Sequence, residues 1–171
     1  MADAGVFGPE RGRIELVGGQ LYEMPPIGTA HVIVVTRLQV QLNSLNAQRR
    51  LLVQQPIRVP HFDEPQPDIT VLREPLALRK PEARDCALVI EVSDTTLEFD
   101  REQKVAAYTR GGVSAVWIVN VRDAVIEAYD EMGLLAQTWY QGKERPVAAG
   151  IELDLETLFA DLPALKPDAQ R

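Results

Sequence analysis

Apolar and polar positions change their period several times along the chain, and each change predicts an element. Over "GRIELVGGQLYEM" the alternation has period two and predicts two short strands joined at Gly18-Gly19, a pair that tolerates the positive φ of a tight hairpin turn. The same alternation puts Arg13, Glu15 and Val17 on one face, and Pro25 and Pro26 end the ladder. From His31 the period lengthens: Val35, Leu38, Leu42 and Leu45 follow at helical spacing, predicting a long amphipathic helix capped by Thr29 and ending near Arg49. His31 stands on the inward side of its first turn.

Beyond that helix, "LLVQQPIRVP" reads as strand up to Pro60 and "HFDEPQP" as loop. "DITVLR" and "CALVIEVSD" are strands, the second the most apolar in the chain. "TTLEFDREQKVAAYTRGG" reads as a helix that Thr95 or Thr96 caps and that Gly111 or Gly112 terminates. Three more strands follow in "VSAVWIVNV", "AVIEAYD" and "LLAQTWYQG", with turns near Arg122-Asp123 and Met132-Gly133, and "DLETLFADL" is a short helix capped by Asp154. The order strand, strand, helix, strand around residues 68 to 120 predicts an α/β (α+β) fold with a mixed sheet and one crossover helix. The expectation is a single domain over residues 1–171 with its core at about 11–162 and a frayed tail "KPDAQR".

Composition narrows the class. With 171 residues, 46% of them apolar, the chain can bury a proper core. No run approaches the roughly 18 apolar residues of a membrane span, and "MADAGVFGPE" lacks the basic-then-apolar pattern of a secretion signal, so a soluble, cytoplasmic protein is expected. Cys86 is the only cysteine and sits in an apolar run, where it reads as a small buried hydrophobe. A formal net charge of -7 counts against a protein that coats nucleic acid nonspecifically. It does not exclude an enzyme of phosphodiesters, because a metal-binding carboxylate cluster contributes negative charge of its own.

Glu91 is the most informative position: "ALVIEVS" would otherwise be an all-apolar interior strand, and a buried glutamate needs compensation. An arginine or a strand end at solvent would supply it, and so would a divalent cation shared with a second carboxylate. Asp68 is the natural partner, since both acids lie on neighbouring strand segments and hard cations prefer oxygen ligands. Pro65 and Pro67 make a stiff approach to Asp68, which reads equally as a solvated strand-entry residue. Lys104 lies one helical turn after Asp100 and one before Tyr108; it either reaches the carboxylates or forms a surface pair with Asp100. Glu15 and His31 are further candidates, the first by inward alternation, the second as a general base, a substrate contact or a packed first-turn histidine. Gly111-Gly112 follows a helix and is no phosphate loop, Ser93 has no triad around it, and Trp117 and Trp139 read as core.

Taken in order, "ELVGGQLYEM", "EPQPDITVL", "LVIEVSDTTLEFDREQKVAAY" and "GGVSAVWIVNV" resemble the Uma-two family of restriction-endonuclease-like proteins, within the PD-(D/E)XK nuclease superfamily. The resemblance runs from about Arg11 to about Asp154. It implies a mixed four-stranded core sheet flanked by helices, with added strands. Pro67-Asp68 matches the family's PD, Glu91 its second acid, Glu15 the glutamate of its first strand, and Lys104 the lysine of its following helix, within "FDREQK" and "AAY". His31 matches a position often occupied by histidine. One departure stands out: the superfamily lysine two residues after the second acid is Ser93 here.

The resemblance implies a metal-dependent DNA endonuclease. Asp68, Glu91 and the carbonyl of Val92 would hold Mg2+ or Mn2+, Lys104 would position a water in place of the missing lysine, and Glu15 would hold a second metal or its water. It also implies a homodimer, which an unpaired edge in "AVIEAYD" or "LLAQTWY" would serve. Two other readings fit the same residues: an inactive dimeric interaction module, and a hydrolase of small phosphoesters.

Overall fold

Two consecutive glycines make the first turn among the described residues. In the computed structural model, which describes residues 13–60, 63–142 and 145–162, Gly18 and Gly19 take φ of 60° and 76°, and β1 (Ile14–Val17) and β2 (Gln20–Glu23) pair across them. Their amides donate to the buried Asp63 carboxylate at 2.9 and 2.8 Å, which fixes the hairpin onto the body of the protein. The tail "KPDAQR" lies outside the described residues.

The long helix arrives in two pieces, α1 (Thr29–Gln41) and α2 (Asn43–Ala47), because the chain turns at Leu42 while keeping Leu38, Leu42 and Leu45 inward. Gly28, not Thr29, is the capping position, so Thr29 is the first helical residue and its hydroxyl caps nothing. The strand expected up to Pro60 is shorter: β3 (Leu51–Val53) stops where Gln54 takes φ of 50° and Pro56 follows, and the rest makes only isolated bridges.

A six-stranded sheet runs in the order β3, β4 (Ile69–Leu72), β5 (Cys86–Ser93), β6 (Val116–Asn120), β7 (Val125–Tyr129), β8 (Leu135–Tyr140). Only β5 and β6 are parallel, and the helical crossover between them is the one foreseen. It comprises α3 (Leu97–Phe99), a wide turn over Asp100–Lys104 with π geometry, and α4 (Val105–Arg110), ending at Gly112 with φ of 93°. Thr96, one of the two expected, holds the N-cap position, but its hydroxyl turns to Asp100 instead of to a backbone amide. A small hairpin, β9 (Val147–Ala148) and β10 (Ile151–Glu152), leads to α5 (Leu155–Phe159), where Asp154 accepts from the amides of Glu156 and Thr157 as the sequence predicts.

Alternation along β5 assigns the two faces. Ile90 and Val92 join Val34, Val35 and Leu38 of α1 and Leu158 of α5 in one core layer. Val89 packs with Ile118, Val105 and Tyr108 in the other. Glu91 therefore points into the layer covered by the crossover helix. Trp117 is buried and packs at a tilt against partly buried Trp139, with 5.0 Å between ring centroids. Strand β7 is paired on both sides, so only β8, carrying exposed Leu135 and Tyr140, is an edge at that end of the sheet. No helix among the described residues is long and apolar enough to cross a membrane.

Candidate active site

Asp68 and Glu91 meet because β4 and β5 pair antiparallel. Thr70 opposes Val89 and Ile69 opposes Ile90, so one step further Asp68 stands across from Glu91. The stiff Pro65–Pro67 approach ends there, and the buried Asp68 side chain is held from two directions. Its Oδ2 accepts from the Val92 amide at 2.9 Å and lies 3.0 Å from His31 Nε2. Burial pushes this carboxyl up, but the His31 hydrogen bond and charge and the Val92 amide outweigh it and keep Asp68 below the ordinary aspartate range. Asp68 is thus an acceptor only, which makes Nε2 the protonated nitrogen of His31. His31 Nδ1 is buried and meets no hydrogen-bond partner among the described residues.

Glu91 answers to the crossover helix. Lys104 Nζ lies 3.2 Å from its Oε1, and Tyr108 Oη donates to the same oxygen. Asp100, Lys104 and Tyr108 recur every four residues, so one helical face carries all three toward the sheet. Burial drives the Glu91 carboxyl well above the ordinary glutamate range; Lys104 opposes this, while Asp68, Asp100 and Glu15 add to it. Burial alone would lower Lys104, yet the charges of Glu91, Glu15, Asp100 and Asp68 hold its ammonium on above the usual lysine range. Burial and the Glu91 charge push the Tyr108 phenol up as well, so it remains a donor.

Glu15 stands behind Lys104. Its Oε2 lies 3.0 Å from Nζ and accepts the Gln66 amide at 3.3 Å, while Oε1 pairs with Arg13 at 3.1 Å. The structure therefore brings Asp68, Glu91, Lys104, His31 and Val92 to one small cavity and sets Glu15 one layer back, as the anchor of Lys104. Asp100 is the residue that sequence reasoning passed over as a surface partner. It is 2% exposed, lines the cavity, accepts from Ser93 Oγ at 2.7 Å and Thr96 Oγ1 at 2.6 Å, and stands 3.9 Å from Lys104. Burial raises its carboxyl above the ordinary aspartate range, against the pull of Lys104 and the two hydroxyls. The signal was present in the spacing: an acid four residues before a lysine that itself turns inward must turn inward with it.

The cavity measures about 80 Å³, with Met24 to Gly28 among its walls. Around it four buried acids, Glu15, Asp68, Glu91 and Asp100, face one fully buried cation, Lys104, with Arg13 and His31 at the margin. An excess of buried negative charge offered by hard oxygen donors fits a divalent cation such as Mg2+ or Mn2+. Among the described residues no three or more His, Cys, Asp or Glu side chains stand at metal-holding spacing. The protein donors for such an ion would be the Asp68 and Glu91 carboxylates and a backbone carbonyl, with water completing the shell, as suits Mg2+.

Comparison with known proteins agrees with this architecture. A family model described as "Uma2: Putative restriction endonuclease" matches residues 8–160. No curated protein matches. Among solved structures, a putative nuclease belonging to DUF820 from Anabaena variabilis ATCC 29413 superposes with a TM-score of 0.68 at 14% identity, covering 85% of this chain and 89% of that one. At that identity the likeness establishes the fold, a mixed sheet flanked by helices.

Proposed function

We propose a metal-dependent endonuclease acting on DNA phosphodiesters for this chain, which belongs to the Uma2 family of restriction-endonuclease-like proteins. One observation carries the reading: on paired strands, Asp68 and Glu91 stand opposite each other at a cavity that also receives the ammonium of Lys104. Asp68, Glu91 and the Val92 carbonyl would hold Mg2+ or Mn2+, which when bound lowers the pKa of a coordinated water and offsets charge on the reacting phosphate. His31 keeps Asp68 ionised and oriented through the 3.0 Å contact. Lys104, reaching from the helix into the space that Ser93 leaves on the strand, supplies a fixed positive charge for the attacking water or the phosphate oxygens. Glu15 and Tyr108 hold Lys104 and Glu91 in register, and their distances support positioning roles.

The hydrolase of small phosphoesters draws support from the small volume of the cavity, about 80 Å³, which suits a single phosphate group. The exposed β8 edge supports a homodimer in solution. Plasmid nicking with Mg2+ or Mn2+, set against hydrolysis of a small aryl phosphodiester, tests the substrate class. Nicking that disappears in Asp68→Asn and Lys104→Met supports the endonuclease. Turnover of the small ester alone assigns the site to the alternative.

A further inference from the structure

A cation on Glu91 competes with Lys104. Oε1 of Glu91 accepts two donors, Lys104 Nζ at 3.2 Å and Tyr108 Oη, so a divalent charge brought to the same carboxylate repels the ammonium and weakens its hold there. The N–H that Glu91 gives up needs another acceptor, because a buried donor left without one is costly.

Asp100 offers one. Its Oδ1 is buried, has no hydrogen-bond partner among the described residues, and lies 3.9 Å from Nζ. Its Oδ2 accepts from Ser93 at 2.7 Å and Thr96 at 2.6 Å, which prevents the carboxylate from turning away. Asp100 and Lys104 bound the wide turn Asp100–Lys104, a geometry that recurs at functional positions. Ser93 occupies the strand position where the superfamily pattern expects a lysine, and here its hydroxyl fixes Asp100 beside the helix-borne lysine.

We propose that Asp100 is a positioning residue that receives Lys104 from Glu91 when a divalent cation binds. The handover rests on the cation assigned to Asp68 and Glu91 under the proposed function. Glu15, at 3.0 Å, keeps its hold on Nζ throughout, so the lysine pivots about that contact and stays in the cavity. One hydrogen bond of the ammonium passes from Glu91 Oε1 to Asp100 Oδ1.

Calorimetric Mn2+ titration without DNA tests this on the wild type, Asp100→Asn, Lys104→Met and the double variant. Lys104→Met removes the competitor for Glu91 and tightens Mn2+ binding. Asp100→Asn weakens it about tenfold when Lys104 is present and leaves it within about twofold when Lys104 is Met, a coupling ordinary for groups in direct contact. Equal weakening in both backgrounds overturns the handover, because Asp100 then acts only through its charge at a distance, while the cation site itself stands. Absence of Mn2+ binding to the wild type overturns the handover and the proposed function together. Should Asp100→Asn not fold, the Ser93→Ala/Thr96→Val pair loosens the same carboxylate and must show the same dependence on Lys104. Lys104→Gln replaces the methionine variant on the same terms.

Discussion

Lys104 Nζ lies 3.2 Å from Glu91 Oε1 with both side chains almost wholly buried, the lysine at 1% and the glutamate at 3% exposure. Neither residue belongs in a hydrophobic layer alone, and the partnership accounts for both. The helix supplies the positive charge that Ser93 withholds from the strand.

Removing that charge should be expensive. Lys104→Met leaves Glu15, Glu91 and Asp100 with no buried counter-charge, and the loss expected for one side of a buried pair is about 3–5 kcal/mol. Urea unfolding in chelator measures it. A loss below about 1 kcal/mol would show that the acids are neutralised without the lysine.

Glu91→Gln should behave in the opposite way. Folding raises the Glu91 pKa, so the native state holds its proton more tightly than the unfolded chain does. For the wild type this stability is fully present below the ordinary glutamate value of about 4.3 and is lost as pH rises toward the raised value. Glutamine, a neutral mimic, escapes that loss. In chelator Glu91→Gln is therefore more stable than wild type at pH 8, and the difference shrinks to nothing near pH 4. An advantage that grows on acidification would contradict the assignment.

Tyr108→Phe deletes the hydroxyl that donates to Glu91 while keeping the packing of a fully buried ring. The expected cost is about 1–3 kcal/mol, the penalty for leaving a buried acceptor short of a donor. Thermal unfolding in chelator reads it directly.

Much of this arrangement was legible in the sequence, and the reasons are local. Glu91 stands out because a single acid interrupts an apolar strand, whereas Asp68, behind its two prolines, reads equally as a solvated strand-entry residue until the pairing of the two strands is known. The crossover and its parallel pair followed from the order of elements. What escaped depended on geometry that periodicity does not encode. Leu42 keeps the helical spacing of its neighbours although the helix breaks there, and "LLVQQPIRVP" reads as one strand up to Pro60 although Gln54 leaves the extended region. The wide turn at Asp100–Lys104 leaves no mark in composition; of the two readings open for Lys104, the surface pair with Asp100 is the one that fails, since both residues face inward. The hairpin β9–β10 is too short to leave a pattern.

Cys86 offers a check on the core beneath the site. It is wholly buried at the start of β5, and burial pushes its thiol pKa up to about 12. Iodoacetamide at pH 8 should leave the native protein unmodified and label it fully once unfolded in urea. Rapid native labelling would mean that β5 opens easily.

Mn2+ titration of the wild type and Glu91→Gln by calorimetry, with plasmid nicking on the same samples, tests the central claim most directly. The account predicts a binding isotherm and nicking for the wild type, and the loss of both when Glu91 becomes glutamine. Mn2+ binding that survives Glu91→Gln unchanged, or a wild type that neither binds the ion nor nicks DNA, would contradict it.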